Sequence, residues 1–188
     1  MSSTSVTVVV PQDASRKQAG RADATRAIEK YLETTGFTFE VLTPGGDALG
    51  AALRRGVSDA KGRVIVLADA DLPYPVSAIG DAVAMVESGA TDVVFASARA
   101  DDHGPALLRW LLVPMLPDRA IRLAAFTSAA AKIVVGESRL HDDACALEFA
   151  FLANKYGFRV EPLVVQSSAR RRSFGILSAI SIRLTNRR

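Results

Sequence analysis

Hydrophobic positions along this chain switch repeatedly between strand-like runs and helix-like spacing. SVTVVV, residues 5–10, is a β-branched apolar run that predicts a strand, and the turn-forming residues of PQDAS close it. Over residues 19–35, Ala24, Ala27, Ile28, Tyr31 and Leu32 recur at helical spacing, with Gly36 placed to end the helix. FTFEVLT, residues 37–43, alternates as a second strand. PGG breaks it, and Leu49, Ala52, Leu53, Val57 and Ala60 mark a second helix that Gly62 closes. VIVLA, residues 64–68, shows no alternation. A continuous β-branched run of this kind suits a strand buried on both faces in the middle of a parallel sheet.

Downstream, Pro75 opens a helix with Ile79, Val83 and Val86 facing inward and Gly89 at its end, and DVVFAS, residues 92–97, predicts another buried strand. Residues 104–116, GPALLRWLLVPML, are strongly apolar around Arg109, and Pro114 and Pro117 stop any helix early. Cover for the sheet and contact with a lipid surface both stand as readings, the first being the commoner use of such a run. Helices are predicted over residues 127–135 and 143–156, the second between Asp142 as its cap and Gly157. FRVEPLVVQ predicts a last strand, in which Pro162 marks an edge or a bulge. Repeated strand–helix alternation implies right-handed crossovers. The expected fold class is therefore α/β, a single Rossmann-like domain with a mostly parallel sheet and helices on both faces.

Length and charge refine this picture. A chain of 188 residues that is 49% hydrophobic supports one well-buried core rather than two. The expected organisation is a domain over residues 1–168 and a basic amphipathic tail over residues 169–188. No acidic residue follows Glu161, and the tail holds Arg170, Arg171, Arg172, Arg183, Arg187 and Arg188. Taking those six from the 23 Lys and Arg leaves 17 basic against 20 acidic residues, so the body is about −3 and the tail +6. Phe174, Ile176, Leu177, Ile180, Ile182 and Leu184 lie between the arginines, a composition that suits an anionic membrane surface and equally RNA or packing on the domain itself. Phe174 is the single aromatic residue of the tail, too little aromatic interleaving to make nucleic acid an expected partner. The start of the chain has no basic n-region, and no window approaches the roughly 18 apolar residues of a membrane span, so a cytoplasmic location is expected. Cys145 is the single cysteine, which excludes an internal disulfide.

The candidate chemistry begins where the central strand stops. VIVLADADLPYP places Asp69 and Asp71 at its carboxyl end, where open α/β sheets bind ligands. Two hard oxygen donors there can share a divalent cation that holds a diphosphate, and they can equally be helix-capping acids ahead of Pro73 and Pro75. His103 and His141 show no metal-ligand spacing. GGDALG, residues 45–50, fails the Gly-x-Gly-x-x-Gly pattern, and no Walker sequence exists.

The order of these pieces resembles the family 2 glycosyltransferases of GT-A fold, and among them the polyprenyl-phosphate (dolichol-phosphate) mannosyl- and glucosyltransferases. ALGAALRRGVSDAKGRVIVLADADLPYPVSAIGDAV, residues 48–83, is similar to the family's Gly-rich helix start, its strand ending in Asp-x-Asp, and the prolines and helix that follow. DVVFASAR continues the likeness to Arg99, PDRAIRLAAF matches loosely around Asp118, and HDDACALEFAFLANKYGFRVEPLVV resembles the family's acidic helix and following strand, with Glu148 at the acidic position. SSARRRSFGILS stands where relatives have a basic, serine-containing loop facing the acceptor phosphate.

This resemblance implies an enzyme, a hexosyltransferase that moves a sugar from a UDP- or GDP-linked donor. Asp69 and Asp71 would hold Mg²⁺ or Mn²⁺, and Asp47, Asp69, Asp71 and Arg99 would contact the donor. Asp118 is the candidate base for a hydroxyl acceptor. A phosphate acceptor needs positive charge instead, which Arg170, Arg171, Arg172 and Ser173 would supply, with a polyprenyl phosphate arriving at the cytoplasmic face of a membrane. Two departures stand out. PQDAS replaces the usual Asn-Glu pair after the first strand, and LTPGGD, with Asp47 alone, replaces paired aspartates and Gly-Ser after the second. They keep a second hypothesis open, a non-catalytic relative acting as a binding or regulatory protein. A nucleotidyltransferase ranks third, because PQDASRKQAG is a poor Gly-rich loop.

Overall fold

A computed structural model describes residues 5–13, 21–97, 123–142 and 144–166. In chain order the elements are β1 (Ser5–Val9), β2 (Gln12–Asp13), α1 (Arg21–Leu32), β3 (Thr38–Leu42), β4 (Gly45–Gly46), α2 (Leu49–Asp59), β5 (Val64–Ala68) and α3 (Ala78–Glu87). They continue with β6 (Val93–Ser97), β7 (Leu123–Thr127), α4 (Ser128–Glu137), α5 (Cys145–Lys155) and β8 (Val160–Val164). Six strands form one sheet in the order β3-β1-β5-β7-β6-β8, and β2 pairs with β4 in a small sheet of two.

Strand alternation divides the core into two layers. Val6, Val8, Val64, Val66 and Val94 face α1 and α3, where they meet Ile28, Leu32, Ile79, Val83 and Val86. Val9, Ile65, Leu67, Phe95 and Phe126 face α2, α4 and α5, against Leu53, Val57, Val134, Phe149 and Leu152. The sheet is thus covered by helices on both faces, as the α/β expectation requires. Every residue of β5 is buried, which accounts for the absence of alternation in VIVLA.

Two sequence expectations need correction. β5 has a parallel neighbour in β1 but an antiparallel one in β7, with Val64 opposite Thr127 and Ala68 opposite Leu123. The strand β7 was not expected, because LAAFT has the alanines of a helix former and too few β-branched residues; its burial between β5 and β6 overrides that propensity. Thr127 ends this strand and at once caps α4, its hydroxyl accepting the Ala130 N–H at 3.2 Å. Secondly, α2 ends at Asp59 rather than at Gly62. Gly62 instead donates its N–H to the buried Thr7 hydroxyl at 2.8 Å, and that hydroxyl donates to Glu40 at 2.6 Å. Burial resists ionisation of Glu40, but the bonds from Thr7 and the Lys61 N–H, with the Lys61 charge, outweigh it and hold the carboxyl below its usual range.

Other expected punctuation is present. Gly89 and Gly157 follow α3 and α5 at φ of +74°, a left-handed conformation that costs glycine little. β8 is an edge strand, consistent with Pro162 inside it. Asp142 accepts the Ala144 N–H at 3.0 Å and so orders the turn before α5, while Ala144 occupies the N-cap position itself. Cys145 is buried and forms no disulfide. The apolar stretch 104–116 and the tail 169–188 lie outside the described residues.

At the amino ends of β6 and β8, Arg159 grips Asp92 through two side-chain bonds of 2.9 and 2.8 Å, and its own N–H adds a third at 3.0 Å. The Arg159 hydrogen bond is the main reason that the Asp92 carboxyl lies below the usual carboxylate range, with its charge adding to the effect and partial burial opposing it. A carboxyl depressed in the folded state stabilises the fold above its unfolded pKa of about 3.9, and the contribution is lost as pH falls through the folded value. Asp92→Asn should therefore lower the urea midpoint at neutral pH, and the gap from the parent protein should close under acid. Urea titrations at neutral and strongly acidic pH check both halves of the expectation.

Candidate functional site

In this sheet the carboxyl ends of β3, β1, β5, β6 and β8 share one edge, because β7 reverses direction twice over: antiparallel to β5 on one side and to β6 on the other. Leu123, at the start of β7, lies level with Ala68 on that same edge. Polar groups placed there come from strand ends, since the strand interiors are filled with apolar side chains.

Asp69 and Asp71 follow β5 directly. Asp69 is half-buried and Asp71 exposed, with Ala70 buried between them. The chain turns tightly here: the Asp69 side chain accepts the Asp71 N–H at 3.3 Å, and the Asp69 carbonyl accepts the Leu72 N–H at 3.2 Å. Leu72 adopts φ of +38°, a left-handed conformation that costs a branched residue of the order of 1–3 kcal/mol. Buried Pro73 and Tyr74 anchor the chain immediately beyond it. The turn thus holds both carboxylates at the sheet edge rather than letting the chain run on.

A cation bridging a diphosphate takes one or two carboxylates from protein and its remaining ligands from phosphate and water. Asp69 and Asp71, hard oxygen donors at an open strand end, fit that requirement. Among the described residues no group of three or more His, Cys, Asp and Glu is placed to hold a metal unaided.

Asp47 stands at the neighbouring strand end. Past the main sheet, β1 and β3 continue as the short β2–β4 ladder, with Gln12 opposite Gly45 and Asp13 opposite Gly46. Val10 and Gln12 donate their N–H groups to Leu42 and Pro44 at 2.8 Å each, so the turn expected at PQDAS and the break expected at PGG are paired with each other. Exposed Asp47 follows this ladder and precedes α2. The Arg55 guanidinium fixes the same loop by donating to the Gly45 carbonyl at 3.0 Å.

On the other side of α2 lies the loop joining α4 to α5. Arg54 donates to the carbonyls of Ser138 and Leu140 at 3.1 and 3.3 Å, and to His141 Nδ1 at 3.1 Å. Gly50 donates its N–H to the His141 carbonyl at 3.0 Å, and a Cβ at Gly50 would collide with the Leu140 carbonyl oxygen. Glu148, wholly buried on α5, accepts from the Ser138 hydroxyl at 2.6 Å and from the N–H groups of Arg139 and Leu140 at 3.0 and 2.9 Å. It is not a helix-surface acid. Sequence reasoning missed this hub, although the signal was present: in ALEFAFLA one acid is flanked by apolar residues on every side of the helix, which leaves it no exposed face.

The structure therefore brings Asp47, Asp69 and Asp71 to one sheet edge. Arg99, Asp118, Arg170, Arg171, Arg172 and Ser173 lie outside the described residues, as does His103. His141 is an exposed loop histidine, as expected. No described helix is long and apolar enough to cross a membrane.

Comparison with known proteins now bears on this geometry. Residues 19–139, more than half of the chain, match the model of glycosyl transferase family 2, and the chain belongs to that family. No curated protein matches it by sequence. Its fold is similar to mannosyl-3-phosphoglycerate synthase from Rubrobacter xylanophilus, with a TM-score of 0.65 at 14% identity over 97% of this chain and 71% of that one. It is likewise similar to glucosyl-3-phosphoglycerate synthase from Mycobacterium tuberculosis, solved with Mn²⁺, UDP-glucose and phosphoglyceric acid. There the TM-score is 0.61 at 12% identity, over 97% of this chain and 78% of that one. S. aureus TarS 1–349 is more distant, with a TM-score of 0.50 at 14% identity over 89% of this chain and 59% of that one. These likenesses identify the fold as that of GT-A glycosyltransferases.

The approach of Gly50 to Leu140 yields a direct check. Gly50→Ala should destabilise the protein by about 1–3 kcal/mol through overpacking. Gly136→Ala, on the exposed side of α4 with open space around the added methyl, should stabilise by about 0.5–1 kcal/mol. Urea midpoints of the two variants should move in opposite directions.

Proposed function

We propose that this family 2 domain is a glycosyltransferase that takes a sugar from a nucleoside diphosphate donor seated at the carboxyl edge of the sheet. The observation that carries this reading is the pair Asp69 and Asp71, held in a tight turn at the end of a strand buried on both faces. These two carboxylates would hold a divalent cation, Mg²⁺ or Mn²⁺, which when bound supplies positive charge for the diphosphate leaving group. Asp47, exposed at the adjoining strand end, faces the nucleoside end of such a donor, and Arg99, two residues beyond β6 in sequence, adds positive charge for the phosphates.

The acceptor in this reading carries a phosphate. Arg170, Arg171, Arg172 and Ser173 follow β8 in sequence, and β8 ends at the same edge as β5. A guanidinium cluster binds a phosphate through paired N–H donors and leaves its oxygen available to attack, so a phosphate nucleophile requires little base. A hydroxyl acceptor would instead draw on Asp118 to take its proton. Support for a phosphate-bearing acceptor comes from the arginine-rich tail and from neighbours solved with phosphoglyceric acid. We favour a polyprenyl phosphate met by the basic tail (169–188) at the cytoplasmic membrane face. A second reading, a non-catalytic binding protein, draws on the single acid at Asp47, where relatives resembled by the sequence carry a pair.

Titration calorimetry with UDP-glucose and with GDP-mannose, in Mn²⁺ and in chelator, tests the donor site. Metal-dependent binding of one donor, weakened by more than about tenfold (roughly 1.4 kcal/mol) in Asp71→Ala, is the expected result. Absence of binding to either donor would support the non-catalytic reading. Transfer assays offering phosphoglycerate and a polyprenyl phosphate side by side then separate the acceptors.

A further inference from the structure

Resting on the donor-site reading above, we propose that Glu148 is a positioning residue for the donor, acting through the loop from Ser138 to His141 to fix the α2 amino terminus and Asp47. A carboxylate with no exposure is costly to keep in a protein interior, and an apolar residue of similar size would pack there at least as well. What Glu148 adds is a specified loop conformation: one oxygen gathers the Ser138 hydroxyl and two successive backbone N–H groups within 2.6 to 3.0 Å.

That conformation is transmitted by direct contacts. With the Arg139 and Leu140 N–H groups turned toward Glu148, the carbonyls of Ser138 and Leu140 accept from Arg54, and the His141 carbonyl accepts from Gly50. Gly50 lies in the first turn of α2. Its missing Cβ allows the Leu140 carbonyl to approach, so the helix start packs directly against the loop backbone. Arg55, next to Arg54, holds the Gly45 carbonyl on the opposite side, and Gly46 packs closely on Ala52. Asp47 is thereby suspended between two fixed points, one of which depends on Glu148.

Glu148→Leu keeps a side chain of similar size but removes the acceptor, leaving the Ser138 hydroxyl and the Arg139 and Leu140 N–H groups without it, which should loosen the loop. Val86→Ala, in the core layer on the other side of the sheet, serves as a control for stability loss alone. Hydrogen exchange on the full chain, read below the unfolding range of both variants, should show the Gly50 amide and residues 45–47 exchanging at least about tenfold faster in Glu148→Leu than in Val86→Ala. The same variant should bind UDP-glucose with Mn²⁺ about tenfold more weakly, whereas Val86→Ala should stay within about twofold of the parent. Faster exchange confined to residues 138–142, or equal donor affinity in the two variants, would overturn the proposal. If the parent protein binds no donor, the donor-site reading fails by itself, and the exchange at Gly50 still decides whether Glu148 controls the helix start.

Discussion

Burial of the central sheet on both faces is the constraint on which everything else depends. β5 has no exposed residue, and its neighbours β1 and β7 are nearly as enclosed. Each fully buried Val, Leu, Ile or Phe is worth about 1.5–3 kcal/mol, so the strand interiors are closed to polar side chains unless those are fully partnered. Thr7 is the instructive exception in β1: it is buried, and its hydroxyl both accepts from Gly62 and donates to Glu40. Asp47, Asp69 and Asp71, by contrast, lie beyond strand ends. Asp69 and Asp71 lie beyond Ala68, the last residue of β5, on either side of buried Ala70.

Strand direction then decides which end collects them. The five mutually parallel strands all finish at one edge, and the antiparallel β7 begins there. A purely parallel sheet would require the connection after β6 to cross to the opposite edge before re-entering. With β7 reversed, Ser97 at the end of β6 and Leu123 at the start of β7 lie at the same edge as Ala68. One reversed strand thus brings the end of β6 and the start of β7 to one edge. The cost is modest, because antiparallel pairing is at least as stable per residue as parallel pairing.

How much was legible in the sequence follows from how local each signal is. VIVLA, SVTVVV and DVVFAS announce buried strands through β-branched runs, and the helices α1, α2, α3 and α5 through spacing, because both patterns are set by neighbours within a few residues. Asp69 and Asp71 were legible for the same reason, being adjacent to the strand that presents them. LAAFT was not: nothing within five residues distinguishes it from a helical segment, and only its slot between β5 and β6 makes it a strand. The ladder between Gln12–Asp13 and Gly45–Gly46 was equally hidden, since each half reads as a turn and pairing needs residues 33 positions apart. Glu148 falls between these cases. Its burial was inferable from the apolar residues around it, but its partners, eight to ten positions upstream, were not.

The same distinction bears on how the donor site could persist in reduced form. On the donor-site reading, the diphosphate end depends on the turn after β5, whereas the nucleoside end depends on the segments after β1 and β3. These belong to different strands with separate supports. Buried Ala70, Pro73 and Tyr74 fix the first, and the β2–β4 ladder with Arg55 fixes the second. Loss of side-chain acids at the nucleoside end therefore leaves the carboxylate pair geometrically intact. Phosphate and cation recognition draws on full charges and contributes more per contact than the neutral hydrogen bonds that distinguish one base from another. On the donor-site reading, a site reduced in this way would give up selectivity among nucleotides before it gave up the diphosphate.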